Sequence, residues 1–317
     1  MVARIGVIGD SHIDLVMPQG WVSDVTSGMT KLSAAPVSRI GGTGINIAVA
    51  AAYYGAAVQL ISAVGDDLLG KAIEAYIASR NIDTSNIYRS SKPTGVIAIL
   101  LDQASERGFI AGLAGSADED IDASLACYED YSNLDAMVLS GALILTGAYW
   151  NQKVFEALKT ALEKAKESGL KVMFDPNIRT LQPLTSKERE AWFELCNLAD
   201  IVLMSSEDLV FLTASRFTAF SIAELRHVVD VPIVLKVGQF GCSFYPAGGT
   251  KCSFMQIPRH IKPVDTTSAG DVFSGIFCAA YTQGMSIYDA AREAVEVASM
   301  VTSTGSGVEA LRLVQNG

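Results

Sequence analysis

The sequence predicts an α/β fold, a mostly parallel sheet with helices on both faces. Three observations lead there: short apolar runs recur as strands, helical patterns fall between them, and half of the 317 residues are hydrophobic. Parallel strands buried on both faces read as near-continuous apolar runs, and each pair needs a crossover that is usually a helix. A chain of this composition buries a large core, which excludes disordered, collagen-like and low-complexity classes.

Arg4 to Gly9 is an apolar run ending in glycine and reads as the first strand. Residues 44–54 suit a helix, 58–64 a second buried strand and 68–79 another helix. Thr94 to Leu101 and Arg107 to Gly112 read as two strands around the polar turn Asp102 to Glu106. Strands then fall at 135–139, 171–174, 200–203 and 232–236, with helical patterns at 151–168, 186–196 and 221–228. In the first of these helices Val154, Leu158, Ala161, Leu162 and Ala165 share one face, and Gly169 supplies the stop. No linker divides the chain, so residues 1–317 read as one domain with a small β excursion from about 13–40 and 87–112.

Twenty-four basic against 34 acidic residues leave a net charge of −10, without a basic tract. Nucleic acid and anionic membrane surfaces are therefore excluded as main partners. A small anionic ligand is not, because a few backbone amides and one lysine can hold a phosphate. Residues 40–65 carry no charge, but Asn46, Gln59 and the break at Gly55 read as a buried helix, turn and strand. A membrane-spanning helix needs about 20 uninterrupted apolar residues. Five cysteines without a CxxC pair read as reduced, mostly buried thiols, and the N-terminus reads as a strand and not a signal peptide, which predicts a cytoplasmic location. His12, His227 and His260 are too scattered for a histidine metal site.

The segment Asp265-Thr266-Thr267-Ser268-Ala269-Gly270-Asp271 precedes the apolar run Val272 to Phe277, which puts Ser268 to Asp271 at a helix N-terminus. Unpaired N–H groups and the positive dipole end converge there. Asp271 beside such an anion site can take a proton from an attacking hydroxyl; as residues alone, a cap and a first-turn acid are equally open. Gly41 and Gly42 permit a tight turn, and Asn46 in the following first helical turn offers a donor and an acceptor to a sugar hydroxyl. An ordinary glycine turn with an asparagine near a cap is the competing reading.

Asp265 to Asp271 resembles the second signature of the ribokinase-like (PfkB) carbohydrate kinases, DTTGAGD, with Ser268 at the first glycine of GAGD. Serine keeps its N–H; if the position demands a positive φ, serine there is strained. Gly41-Gly42-Thr43-Gly44-Ile45-Asn46-Ile47-Ala48 is similar to the first signature, GG-x-x-x-N-x-A. Gly9 to Asp14 resembles the family's opening, whose aspartate grips substrate hydroxyls, a role that falls on Asp14, with Asp10 left to local turn chemistry. Asp175-Pro176-Asn177-Ile178-Arg179 resembles the D-x-N-x-R segment of fructokinase and 2-keto-3-deoxygluconate kinase relatives.

The resemblance implies a three-layer ribokinase-like sandwich whose small β-sheet serves as a lid, and an ATP-dependent sugar kinase. Asp271 is then the base, and the amides of Ser268, Ala269, Gly270 and Asp271 stabilise the transferring phosphoryl group. Asp14, Gly42, Asn46, Asn177 and Arg179 face the substrate, although Arg179 as a loop ion pair stays open. Arg107 is a lid residue over the substrate or a solvated turn charge. Lys236, Gly238 and Gly241, in a K-x-G-x-x-G strand end, and Thr267 lie along the nucleotide; such glycines are also ordinary turn material. Glu207 or Asp208 holds hydrated Mg²⁺, since Ser205 stands where relatives have asparagine. Asp265, Thr267 and the Thr304 to Gly307 loop frame a site for a monovalent cation such as K⁺. The expected substrate is a ketose or keto-sugar acid, with a ribokinase, a nucleoside kinase, a kinase for a small non-sugar alcohol and a silent sugar- or nucleotide-binding protein as alternatives. Relatives often dimerise through the lid, where Val96, Ile97, Ile99 and Leu101 suit a clasp and equally suit packing on the main domain. An aspartate after Gly9 excludes a nicotinamide fingerprint, and no GxxxxGK[ST] occurs.

Overall fold

Successive residues of each central strand bury against opposite layers, the period-2 signature of a sheet covered on both faces. Val7, Leu60, Val138, Met173, Leu203 and Val234 enter one core, and their neighbours Ile8, Ile61, Leu139, Phe174, Met204 and Leu235 enter the other. The computed structural model describes residues 2–18, 34–101, 107–128, 131–148, 150–180, 182–213, 215, 218–257, 261–304 and 307–314.

Among the described residues there are thirteen strands: β1 (Arg4–Ile8), β2 (His12–Val16), β3 (Val37–Gly41), β4 (Ala57–Gly65), β5 (Asp83–Ser90), β6 (Gly95–Leu101), β7 (Arg107–Gly112), β8 (Ala136–Ser140), β9 (Lys171–Asp175), β10 (Ile201–Ser205), β11 (Ile233–Lys236), β12 (Cys242–Tyr245) and β13 (Ser253–Met255). The helices are α1 (Thr43–Tyr53), α2 (Leu68–Ala78), α3 (Ile121–Cys127), α4 (Gln152–Glu167), α5 (Ser186–Leu198), α6 (Ser206–Thr213), α7 (Thr218–Leu225), α8 (Ala269–Thr282), α9 (Ile287–Thr302) and α10 (Leu311–Val314). The large sheet runs β13-β12-β11-β10-β9-β8-β1-β4-β5, parallel except at its β11-β12-β13 edge. Strand order reverses beside β1, where α/β sheets open a crevice at the strand carboxyl ends. This is the expected fold class.

The uncharged stretch 40–65 is α1 followed by β4. Helix α1 is buried from Thr43 to Ala51 because α8 covers its outer side. Gly275 of α8 makes that approach possible, since a Cβ there would lie 2.4 Å from the Ile47 carbonyl oxygen. No helix among the described residues is long and apolar enough to cross a membrane.

The small sheet, in the order β3-β2-β6-β7, uses β2 and β3 on one side and the β6–β7 hairpin on the other, joined by parallel β2–β6 pairing. Its make-up differs at one boundary from the span 87–112. Residues 87–90 belong to β5, which pairs parallel to β4 at the edge of the large sheet and buries Ile87 and Ser90 there. Residues 19–33 and the turn 102–106 lie outside the described residues. Helix α7 ends at Leu225, short of the expected 228. Strands β12 and β13, four and three residues long, are too short for periodicity to announce.

Candidate active site

Three parallel strands of the large sheet end in polar side chains at one edge: Asp175 closes β9, Ser205 closes β10 and Lys236 closes β11. The chain leaving β1 adds Asp10 and His12. Asp175 is 1% exposed. Its Oδ2 accepts from Lys236 Nζ at 2.7 Å and from Ser274 Oγ at 2.6 Å, and Lys236 Nζ reaches the same hydroxyl at 3.2 Å. A Cβ built on Gly270 would lie 3.8 Å from Lys236 Nζ, so this ammonium sits under the start of α8.

Ser268 caps α8 in the left-handed region, at φ 60° and ψ 6°. The position does require a positive φ, and serine accepts it with strain. The Ala269 N–H turns back toward the Thr266 carbonyl oxygen at 3.3 Å, whereas the Gly270 and Asp271 amides have no backbone acceptor among the described residues. The N-terminal amides open to an anion are therefore chiefly those two, and the Ala269 amide is partly engaged. Thr267 spends its N–H and hydroxyl on Asp265 Oδ1, at 2.8 and 2.5 Å, which shapes the turn into the helix. Gly307 packs on that turn, its ideal Cβ 3.7 Å from the Thr267 carbonyl oxygen, while Gly305 and Ser306 lie outside the described residues.

Asp271 lies in the first turn of α8, and its Oδ2 accepts from Asn46 Nδ2 at 2.8 Å. Burial pushes its carboxyl up to about 6; the Asn46 bond opposes this, Asp175 adds to it, and Lys236 and Arg179 pull the other way. The two glycine-rich segments, 225 residues apart, thus meet through one hydrogen bond. On the other side of α1, Gly42 holds φ 110°, and a side chain there would strike the Asp10 carbonyl oxygen at 2.3 Å. Asp10 Oδ1 accepts the Gly44 N–H at 3.3 Å, a bond across 34 positions to the start of α1 and not the local turn contact expected of it. The Asp14 carboxylate lies over Gly41, its Oδ2 2.5 Å from where a Cβ would stand, with its Oδ1 3.3 Å from His12 Nε2.

The D-x-N-x-R segment joins the same cleft: Asn177, at φ 43°, donates from Nδ2 to Thr43 Oγ1 at 2.5 Å, and Arg179 is exposed beyond it. The expectation for Asp208 needs correction. Its Oδ1 accepts the Ile178 N–H at 2.7 Å, and its Oδ2 accepts the Ser205 N–H and hydroxyl, each at 2.7 Å. Buried and held by three donors, it braces the ends of β9 and β10 in place of facing a metal. Glu207 beside it is exposed in the first turn of α6. Gly238 and Gly241 form the β11–β12 turn, where the Val237 N–H donates to the Gly241 carbonyl at 2.8 Å. Arg107 opens β7 opposite Leu101; its side chain lies outside the described residues. Leu101 stands four residues along β6 from Ile97, the neighbour of Asp14, which places the start of β7 ~13 Å up the strand.

The pfkB family carbohydrate kinase profile matches residues 2–312. The chain belongs to the pfkB family of carbohydrate kinases. It is a sugar kinase, a phosphotransferase with an alcohol acceptor. Among curated relatives of this pfkB kinase, the 2-dehydro-3-deoxygluconokinase of Thermoproteus tenax is 27% identical over 311 residues, 95% of this chain and 91% of that one. The fructokinase of Salmonella typhimurium is 27% identical over 297 residues, 90% and 87% of the two chains. The fold is that of Arabidopsis thaliana ribokinase, solved with ribose and ATP, at a TM-score of 0.79 and 19% identity over 100% of this chain and 98% of that one.

Two features of this pfkB kinase went unread in the sequence. Lys236 is tied to Asp175 across 61 positions, which no local pattern signals. His12 stands between Asp10 and Asp14 at strand spacing, Asp-x-His-x-Asp, and that period-2 pattern was a usable sign that the three share a face.

Proposed function

We propose that this pfkB kinase transfers the γ-phosphate of ATP to a hydroxyl of a ketose or keto-sugar acid, with Asp271 as the base. The observation that carries the reading is the Asp271 carboxylate in the first turn of α8, where Asn46 donates to it at 2.8 Å and burial pushes it up to about 6. A carboxylate so poised is ionised at neutral pH yet basic enough to share a proton in the transition state. The substrate oxygen bonds to the γ-phosphorus, its proton passes to Asp271, and the bond from that phosphorus to the bridging oxygen of ADP breaks. The Gly270 and Asp271 amides lie where charge on the transferring group would be stabilised, with Ser268 and Ala269 shaping the turn. Asp14, Gly42, Asn46, Asn177 and Arg179 hold the substrate, and the small sheet with Arg107 excludes water. Lys236, Gly238, Gly241 and Thr267 border the nucleotide.

Mg²⁺ takes one or two carboxylates and keeps several waters, which suits the exposed Glu207 and does not suit the fully engaged Asp208. Bound to the nucleotide, the ion neutralises charge on the phosphates during transfer. The Thr267 turn and Gly307 support a K⁺ site through backbone oxygens, and the exposed Phe109 and Ile110 of β7 support pairing of two copies through the small sheet.

The names of the relatives support a ketose or keto-sugar acid, and exposed Arg179 favours the acid. The test is ADP release with Mg·ATP over ketoses, aldoses, sugar acids and nucleosides, with Asp271→Ala as control. Turnover of a ketose or sugar acid that is lost in the variant is expected. Equal turnover in the variant removes Asp271 as the base, and preference for a nucleoside removes the substrate reading. Arg179→Ala should raise KM for the acid more than for a neutral ketose; equal effects exclude a carboxylate contact.

A further inference from the structure

One polar cluster in the cleft gathers round Asp14. His12, 6% exposed, opens β2, with its Nε2 3.3 Å from Asp14 Oδ1 and its Nδ1 3.4 Å from Asp10 Oδ2. A third carboxylate arrives from the Ala117–Asp120 turn: Asp118 is buried, accepts the Ser11 N–H at 3.2 Å through Oδ1, and among the described residues its Oδ2 has no hydrogen-bond partner. Both side chains crowd round Gly95 of β6, whose ideal Cβ would lie 3.3 Å from His12 Cβ and 3.2 Å from Asp118 Oδ2. On β3, Arg39 faces Asp14 in register, but its guanidinium goes to Asp265 at 3.7 Å. Glu119 adds a further negative charge near Asp118. Among the described residues, His12 is the ion-pair partner of both Asp10 and Asp14, and no other cation pairs with either.

Two buried carboxylates, Asp10 and Asp118, and the half-buried Asp14 around one imidazole cannot all stay ionised without a cation at the centre. Asp14 has two constraints on its carboxylate: Gly41 gives it room, and His12 holds one oxygen. We propose that His12 is a positioning residue, an imidazolium that holds Asp14 through Nε2 and fixes the Asp14 carboxylate over the Gly41–Gly42 turn for the sugar. It faces Asp10 at ion-pair distance, and its Nδ1 has no hydrogen-bond partner among the described residues. The inference rests on the reading that Asp14 grips a substrate hydroxyl. The electrostatics agree with the geometry. Burial works against the charge, but the Asp14 hydrogen bond and the fields of Asp10, Asp14 and Asp118 push His12 up to about 9. Asp118 is pushed upward by its own burial and by Asp10.

The test has two arms. Imidazole ¹⁵N shifts across pH are read first, with His12 assigned by its loss in His12→Gln. Two protonated nitrogens at pH 7, persisting to about pH 9, are expected; a neutral tautomer at pH 7 overturns the proposal. The second arm is kinetic. His12→Gln keeps a donor but no charge, so KM for the sugar should rise roughly tenfold, as for one weakened charge-assisted hydrogen bond, with kcat little changed. In the wild-type chain KM for the sugar should climb above about pH 9, and that rise should vanish in the variant. An unchanged KM in His12→Gln, or a loss confined to kcat, overturns the proposal. If the variant does not fold, the wild-type pH series and the imidazole shifts decide. Asp14→Asn separates the two ideas. Unchanged sugar KM there removes Asp14 as a substrate contact, whereas a raised KM there with none in His12→Gln removes the His12 proposal alone.

Discussion

Replacing Asn46 with leucine tests the electrostatics of the reacting centre. The two side chains are close in size, but leucine cannot donate to Asp271 Oδ2, which Asn46 Nδ2 reaches at 2.8 Å. A hydrogen bond to an ionised group is worth roughly 1.5–3 kcal/mol, and one pKa unit corresponds to about 1.4 kcal/mol. Losing it should raise the Asp271 carboxyl by roughly one to two units from its value of about 6. At pH 7 the ionised fraction would fall from about nine-tenths to somewhere between about a half and a tenth. The assay is kcat/KM for the sugar from pH 5 to 9 at saturating Mg·ATP, since this ratio reports the groups of the enzyme form that awaits the sugar. Loss of Asn46 as a sugar contact lowers the whole curve, whereas loss of its bond to Asp271 moves the acid limb to higher pH, so height and position separate the two roles. The sign follows from the chemistry: a base must be ionised, so activity falls as pH drops through its pKa. An acid limb that stays near 6 in the variant, or a wild-type profile flat down to pH 5, refutes the reasoning.

Two further outcomes follow from the same geometry. Ser268→Gly should relieve the left-handed strain at φ 60° and raise stability by about 0.5–1 kcal/mol in a denaturant titration, with turnover retained; a loss of stability would show that the serine side chain matters more than its backbone. Lys236→Met leaves Asp175 buried without its 2.7 Å partner and should cost about 3–5 kcal/mol, much of it recovered in the double variant with Asp175→Asn. The single variant should also shift the acid limb upward, because Lys236 pulls the Asp271 carboxyl down; an unchanged melting temperature and pH profile would exclude the buried pair as a brace.

Much of the fold was legible because it rests on local periodicity. The continuous apolar run Ile5 to Ile8, the single apolar face of Val154 to Ala165 and the glycine turn before Asn46 are all written within a few residues of one another. The sequence alone determined the layered parallel sheet, the family motifs and Asp271 at a helix start. It did not separate β5 from the small sheet, because the mostly polar run 83–90 carries no clear periodicity to mark which sheet it joins, and pairing with β4 decides the matter. Tertiary structure alone decided the fates of the polar groups. Asp208 reads as a metal carboxylate until Ile178 and Ser205 take both its oxygens. Lys236 reads as a lone cation at a strand end until the fold sets Asp175 against its ammonium. His12 reads as an isolated histidine until Asp118, 106 positions away, joins Asp10 and Asp14 round it. The reason is physical. Hydrophobic burial is non-directional and leaves a periodic trace in sequence, whereas a hydrogen bond or ion pair depends on atoms within about 3 Å that only the folded chain brings together.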